Sequence, residues 1–454
     1  MEAAVDGAAA AYPPWADTPL PHRARVMARW AAAVSAAAPD LAADVVREVG
    51  KTAADAAGDV ARGLEVLEFA AAAPSLLAGT ALHGVARGVD MRQRPLPLGV
   101  VLGVTPFNFP VMIPLWMAPL ALVAGNAVIL KPPPATPSAA VRLAALATEA
   151  GVPPGALAVV QGGAATASAL IAAPPVQAVS FVGSTGAGRA VYAAATARGV
   201  RAQANLGAKN HGVVLPDADV AAAASALVGA AFGASGQRCM ALSVAVVVGD
   251  ADRHAAVLDA LVVRARALRL GAGDSGGDVG PLISAASRER VRGLVAGAAA
   301  EGATVALNGT AVDAAAEGVH PGGFWLRPSV VADVTPAMTI YKEEVFGPVL
   351  LVVAAPSADA AAALVRANPY GNGTAVFTAS PAAARRYAAA SGVGQVGVNV
   401  PIPVPAPGLG FTGGGGLRWG IFSFTGARGS SFTPARRRSL SGGPMGRGGG
   451  GGGG

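Results

Sequence analysis

The strongest constraint on the architecture is a run of short apolar segments separated by helix-length stretches between residues 99 and 197. Strands are expected at 99–104, 127–130, 157–161 and 178–182, with helices at 137–150, 164–172 and 187–197 between them. Strands joined through helices of this length must pair in parallel by right-handed crossovers, which gives a doubly wound, dinucleotide-type α/β sheet. A second α/β block follows from about residue 206. Its clearest strands are 244–248, 350–353 and 374–377, and its clearest helices 252–269 and 284–301. Ahead of both, 22–50 and 55–78 carry apolar positions at helical spacing, with Gly50-Lys51-Thr52 as the break. Residues 79–97 are expected to form an extended hairpin excursion.

The stretch 111–130 is apolar enough to resemble a membrane span, but Pro114, Pro119 and Gly125-Asn126 interrupt it. It is expected to be a short buried helix to Ala124, a turn, and a buried strand ending at Lys131. The first residues include Glu2 and Asp6 and lack a basic-then-apolar layout, so no signal peptide is expected. The formal charge of +7 suggests a nucleic-acid binder, yet residues 399–454 carry six arginines and no Asp, Glu or Lys. The body is therefore nearly neutral, and no basic face interleaved with aromatics supports nucleic acid as a partner. Residues 434–454 are rich in Arg, Gly and Ser, a composition unable to build a core.

Against that scaffold, five segments carry chemistry. The one cysteine in 454 residues, Cys239, lies in Gly233-Ala-Ser-Gly-Gln-Arg-Cys239. It is either a small buried hydrophobe or a reactive thiol whose thiolate Arg238 can stabilise. Gly183 and Ser184 open a glycine turn from strand to helix, where free N–H groups favour a phosphate; packing is the alternative reason for such a turn. In Thr105-Pro106-Phe107-Asn108-Phe109-Pro110, Asn108 either offers its amide N–H to a developing oxyanion or is satisfied within its own turn. Lys131 either reaches a ribose hydroxyl or phosphate or caps a strand into solvent. Glu344 either binds ribose hydroxyls, with Phe346 packing on a ring, or simply begins a strand. No metal is called for.

These segments, taken in order with 204–214, 368–374 and 394–401, resemble the aldehyde dehydrogenase superfamily over roughly residues 12–407. The resemblance implies an α/β fold of three parts: an NAD-binding domain (1–78 and 98–205), an oligomerisation hairpin (79–97) and a catalytic domain (206–407). Cys239 then corresponds to the nucleophile, with Asn108 and the Cys239 backbone N–H as oxyanion donors. Thr105, Phe107, Lys131, Ser184 and Glu344 fall at cofactor positions. Hydrolytic relatives carry a glutamate where this chain has Asn205, and an amide cannot take a proton from water. The Asn205-Leu-Gly-Ala-Lys-Asn form resembles the branch that uses coenzyme A as co-substrate. Arg62 and Arg238 stand where a semialdehyde carboxylate would be bound, which suits bidentate guanidinium recognition.

The implied activity is NAD-dependent oxidation of methylmalonate or malonate semialdehyde to propionyl-CoA or acetyl-CoA with decarboxylation. A hydrolytic dehydrogenase and an inactive remnant are the competing readings. The resemblance implies a mitochondrial location, and a cytoplasmic one otherwise. Three departures stand out. Prolines replace the family's acid after Lys131-Pro132. The initial strands are expected to be missing. Residues 408–454 are expected to be a divergent, largely disordered insert and tail with no closing strand beyond Ser431, and the homo-oligomer that the resemblance implies is expected to be weakened by its absence.

Overall fold

The structure, a computed structural model, describes residues 1–409 and the backbone of 435–442. Two parallel sheets organise it. The first consists of β3 (Val100–Val104), β4 (Ala127–Lys131), β5 (Leu157–Val159), β6 (Val176–Val182) and β7 (Arg201–Asn205) in the order β5-β4-β3-β6-β7. All four pairings are parallel. β3 and β4 are buried at every position, as expected of Val/Ile/Leu runs covered on both faces. The chain winds outward from β3 to β5, then returns to the other side at β6. β3 and β6 therefore flank a topological switch point, where α/β sheets bind ligands at their carboxyl ends.

Register makes that edge specific. Val104 is opposite Lys131 on one side and Phe181 on the other, and Val182 is opposite Asn205. Thr105, Lys131, Gly183 and Asn205 thus line one edge of the sheet.

The second sheet contains β8 (Asn210–Val214), β9 (Leu242–Val248), β10 (Thr304–Leu307), β11 (Ser329–Ala332), β12 (Val349–Ala355), β13 (Gly373–Phe377) and β14 (Gln395–Val398). Its order is β10-β11-β12-β9-β8-β13-β14, with only the β10–β11 pair antiparallel. The link between the sheets, 206–209, is four residues long, so the carboxyl end of β7 adjoins the amino end of β8. Cys239 and Glu344 precede β9 and β12, which puts both at that same amino edge. The site is therefore built where the carboxyl edge of one sheet meets the amino edge of the other.

Most elements lie where the apolar pattern puts them, including the hairpin β1 (Thr80–Ala86) and β2 (Val89–Leu96). The helix Met112–Val123, the turn and β4 appear as expected, and among the described residues no helix is long and apolar enough to cross a membrane. Two elements differ. The helix Glu2–Asp17 was not anticipated; it buries Val5, Ala8, Ala11 and Trp15, and the Trp15 indole donates to the Leu122 carbonyl at 2.9 Å. Pro13 and Pro14 near its end mask its helical character in the sequence.

The second difference corrects the expectation that no strand follows Ser431. β15 (Ala435–Gly442) pairs antiparallel with β2, from Ala435 opposite Leu96 to Gly442 opposite Val89. Composition measures the capacity to fill a core, whereas a ladder on an open edge needs only backbone N–H and C=O groups. The remainder of the expected insert and tail, 410–434 and 443–454, lies outside the described residues.

Candidate active site

Cys239 is half-buried and lines a small cleft together with Ala208, Arg238, Ser243, Glu344 and Phe346. Burial pushes its thiol up to about 12. The Glu344 carboxylate adds to the rise, and the Cys239 and Met240 backbone N–H groups and the Arg238 charge oppose it. The Cys239 carbonyl accepts from Asn210 Nδ2 at 2.8 Å and from Asn372 Nδ2 at 3.0 Å, which fixes the peptide after the thiol. Local sequence marks neither asparagine as a contact of the cysteine, since each approaches it from another strand or loop.

Asn108 is buried, and its Nδ2 donates to the Gln237 carbonyl at 2.9 Å, two residues before the cysteine. The alternative of an asparagine satisfied within its own turn therefore does not hold. This bond takes one of the two amide N–H groups and ties the Asn108 side chain to the cysteine loop.

The cofactor-type positions converge as well. Thr105 is buried and donates its N–H to the Lys131 carbonyl at 3.2 Å. Lys131 is buried rather than turned to solvent; its amine donates to the Pro132 and Gly162 carbonyls, both at 2.8 Å, and burial lowers its pKa. Ser184 is the N-cap of the helix Thr185–Ala197 and forms no side-chain cap, so the first-turn N–H groups face the switch point without that partner. A Cβ on Gly183 would come within 2.6 Å of the Phe181 ring, a packing reason for glycine beside the phosphate one.

Glu344 is half-buried, accepts from the Ala208 N–H at 2.9 Å and has its pKa raised, chiefly by burial. A Cβ on Gly207 would come within 2.5 Å of its carboxylate. Phe346 adopts φ +50°, uncommon for a residue other than glycine, and meets Phe107 edge-on with centroids 6.0 Å apart.

The two arginines are held apart from one another's partners. Arg238 lines the cysteine cleft, but its Nη2 donates to the Gly229 and Ala230 carbonyls at 2.7 and 2.9 Å, at the end of the helix Val220–Phe232. Arg62 is not among the residues lining that cleft. It pairs with Glu65 at 2.7 Å and reaches the Val404 carbonyl at 3.4 Å.

The model of the aldehyde dehydrogenase family matches residues 1–425. The chain is 46% identical over 433 residues to the rat protein named methylmalonate-semialdehyde/malonate-semialdehyde dehydrogenase, acylating, mitochondrial, covering 95% of this chain and 80% of that one. The similarly named Dictyostelium discoideum protein is 46% identical, covering 95% and 81%. Among solved structures, methylmalonate-semialdehyde dehydrogenase from Oceanimonas doudoroffii aligns with TM-score 0.93 at 42% identity, covering 98% of this chain and 90% of that one. A Sinorhizobium meliloti 1021 protein complexed with NAD aligns with TM-score 0.92 at 40% identity and the same coverage.

Proposed function

This chain belongs to the aldehyde dehydrogenase family, and we propose that it is an NAD-dependent, CoA-acylating dehydrogenase of methylmalonate or malonate semialdehyde. The observation that carries the reading is the Asn108–Gln237 hydrogen bond, which ties an amide donor to the loop of the lone cysteine. The names of the relatives above support the acylating activity and the semialdehyde substrate.

The residues present fit a dinucleotide. The helix start at Ser184–Thr185 lacks a side-chain cap and suits a phosphate, Lys131 has a further N–H for a ribose hydroxyl, and the Glu344 carboxylate beside Gly207 suits ribose hydroxyls. Phe107 and Phe346 form an apolar wall next to Glu344. NAD, when bound, supplies the hydride acceptor. In the proposed organisation 1–78 and 98–205 hold that cofactor, 206–407 carry the nucleophile, and the hairpin 79–97 mediates self-association.

Cys239, its thiol proton given up to solvent, forms a bond to the aldehyde carbon as the thiolate, and the carbonyl electron pair moves to oxygen. The oxyanion accepts from the second Asn108 amide N–H and the Cys239 backbone N–H. Once the carbon is oxidised, Cys239 holds a thioester. Asn205, half-buried at the end of β7, has no basic group with which to activate water, so the thiol of coenzyme A displaces the cysteine sulfur. Loss of the substrate carboxylate as carbon dioxide leaves its electron pair on the neighbouring carbon, which takes a proton from solvent to give propionyl-CoA or acetyl-CoA. Arg238, and Arg62 on release from Glu65, bind that carboxylate. Relatives named mitochondrial suggest the same location here.

The test is NADH formation from malonate semialdehyde with and without CoA, beside Cys239→Ala. CoA-dependent turnover that the variant abolishes is expected. CoA-independent release of free acid would instead establish a hydrolytic enzyme.

A further inference from the structure

The turn that delivers Cys239 is left-handed at three successive residues. Ala234 has φ +48° and ψ +37°, Ser235 φ +56° and ψ +28°, and Gly236 φ +68°. Only the last is glycine. A left-handed backbone is strained for a residue with a Cβ, so the conformation persists only where its surroundings impose it.

Three groups impose it. The Ala234 N–H donates to Asp55 Oδ2 at 3.0 Å. Ser235 Oγ donates to the Gly280 carbonyl at 2.7 Å. Gly236 lies so close to the Gly347 carbonyl that a Cβ would collide with it. Of these, Asp55 is the one side chain that comes from outside the second sheet and its connections. It belongs to the first turn of the helix Ala53–Ala71, which packs on the helix Met112–Val123.

Asp55 is itself held in place. Its N–H donates to Thr52 Oγ1 at 3.1 Å, and that hydroxyl donates back to Asp55 Oδ2 at 3.2 Å, fixing the carboxylate at the helix start. The Ala53 N–H donates to the Gly273 carbonyl at 2.9 Å, docking the same turn on the catalytic side. One turn later the helix holds the other half of the site. Asp59 is buried, pairs with Lys51 at 2.9 Å and accepts the Met112 N–H at 2.7 Å; the Lys51 amine lies 3.8 Å from the Phe109 ring centroid, next to Asn108.

We propose that Asp55 is a positioning residue for the nucleophile: by accepting the Ala234 N–H it keeps the turn 234–236 left-handed and sets Cys239 against the Asn108 donor. The same helix start anchors both loops, so their spacing is fixed by one rigid element. A thiol displaced by a fraction of an ångström from its donor loses turnover and not cofactor affinity. This inference rests on the assignment of Cys239 as nucleophile.

The test compares Asp55→Ala with Asp55→Asn in the full chain by steady-state kinetics and by amide hydrogen exchange. Asp55→Ala is expected to lower kcat at least tenfold, leave the KM for NAD within about twofold, and speed exchange in the peptide covering 233–239. Asp55→Asn keeps an oxygen that can accept the Ala234 N–H and is expected to retain kcat within about threefold with native exchange. Native kcat and exchange in Asp55→Ala overturn the proposal. So does an Asp55→Asn enzyme as impaired as Asp55→Ala, which would assign the effect to the Asp55 charge, which acts on the buried Arg238 guanidinium. If Asp55→Ala does not fold, Asp55→Ser, whose hydroxyl is too short to reach Ala234, replaces it with the same two outcomes. Absence of NADH formation by the unaltered chain counts against the functional reading alone, because exchange reads the turn without any substrate.

Discussion

At the scale of single residues, the site pairs a thiol with a carboxylate that opposes its ionisation. Burial and Glu344 together push Cys239 up to about 12, so the thiol form prevails at neutral pH in this state. Removing the Glu344 charge leaves the neighbouring Arg238 less opposed and lowers the thiol pKa. Glu344→Gln is therefore expected to alkylate faster with iodoacetamide at pH 8, by about threefold or more, with the rise in rate displaced to lower pH. An unchanged pH profile would mean that burial alone sets the thiol. The motifs around these residues were legible in sequence because each is contiguous: the Asn108 loop, the Ser184 turn, the cysteine loop and the Glu344 segment. Asp55, Asn210 and Asn372 were not identified as partners of the cysteine loop, because they reach it from 29 to 179 residues away, where local pattern carries no information.

At the scale of elements, the helix start 51–59 is held by an ion pair removed from water. Lys51 and Asp59 are 2.9 Å apart and almost fully enclosed. Breaking such a pair from one side costs about 3–5 kcal/mol, since the remaining charge has no partner. Lys51→Met is expected to show that loss in urea unfolding, and the loss should depend on pH. Burial already raises the Asp59 carboxyl above its ordinary value, and without Lys51 nothing but the Met112 and Val111 backbone pulls it down. A raised native pKa means that the native state binds more protons than the unfolded chain above about pH 4. The variant's stability therefore falls as pH rises from about 4 through the raised value. A deficit that stays constant between pH 5 and 8 would show Asp59 to be ionised throughout. Alternating strands and helices in the two sheets were legible, since their apolar periods are strong. The helix Glu2–Asp17 was hidden by Pro13 and Pro14, and β15 by a composition that says nothing of backbone pairing.

At the scale of the whole molecule, the two sheets meet edge to edge, while β1, β2 and β15 form a separate three-stranded sheet. A sheet of this size gains little stability unless one face is covered. Every residue of β1 is exposed; Leu82 is 63% and Val85 37% exposed, and β2 is only partly covered. The expectation of a weakened assembly rested on an absent closing strand, and β15 now supplies a strand on β2. Apolar side chains on an arm that the described residues leave bare point to a second copy as the expected cover. The protein is thus expected to elute as an oligomer in size-exclusion chromatography with light scattering. Leu82→Lys, which places a charge on that arm without touching either sheet of the body, should shift it to a smaller species. Turnover per chain in the smaller species then reports whether assembly matters to the cleft. A monomeric unaltered chain would leave the exposed face of β1 without this role, and an oligomer indifferent to Leu82→Lys would move the contact to another surface.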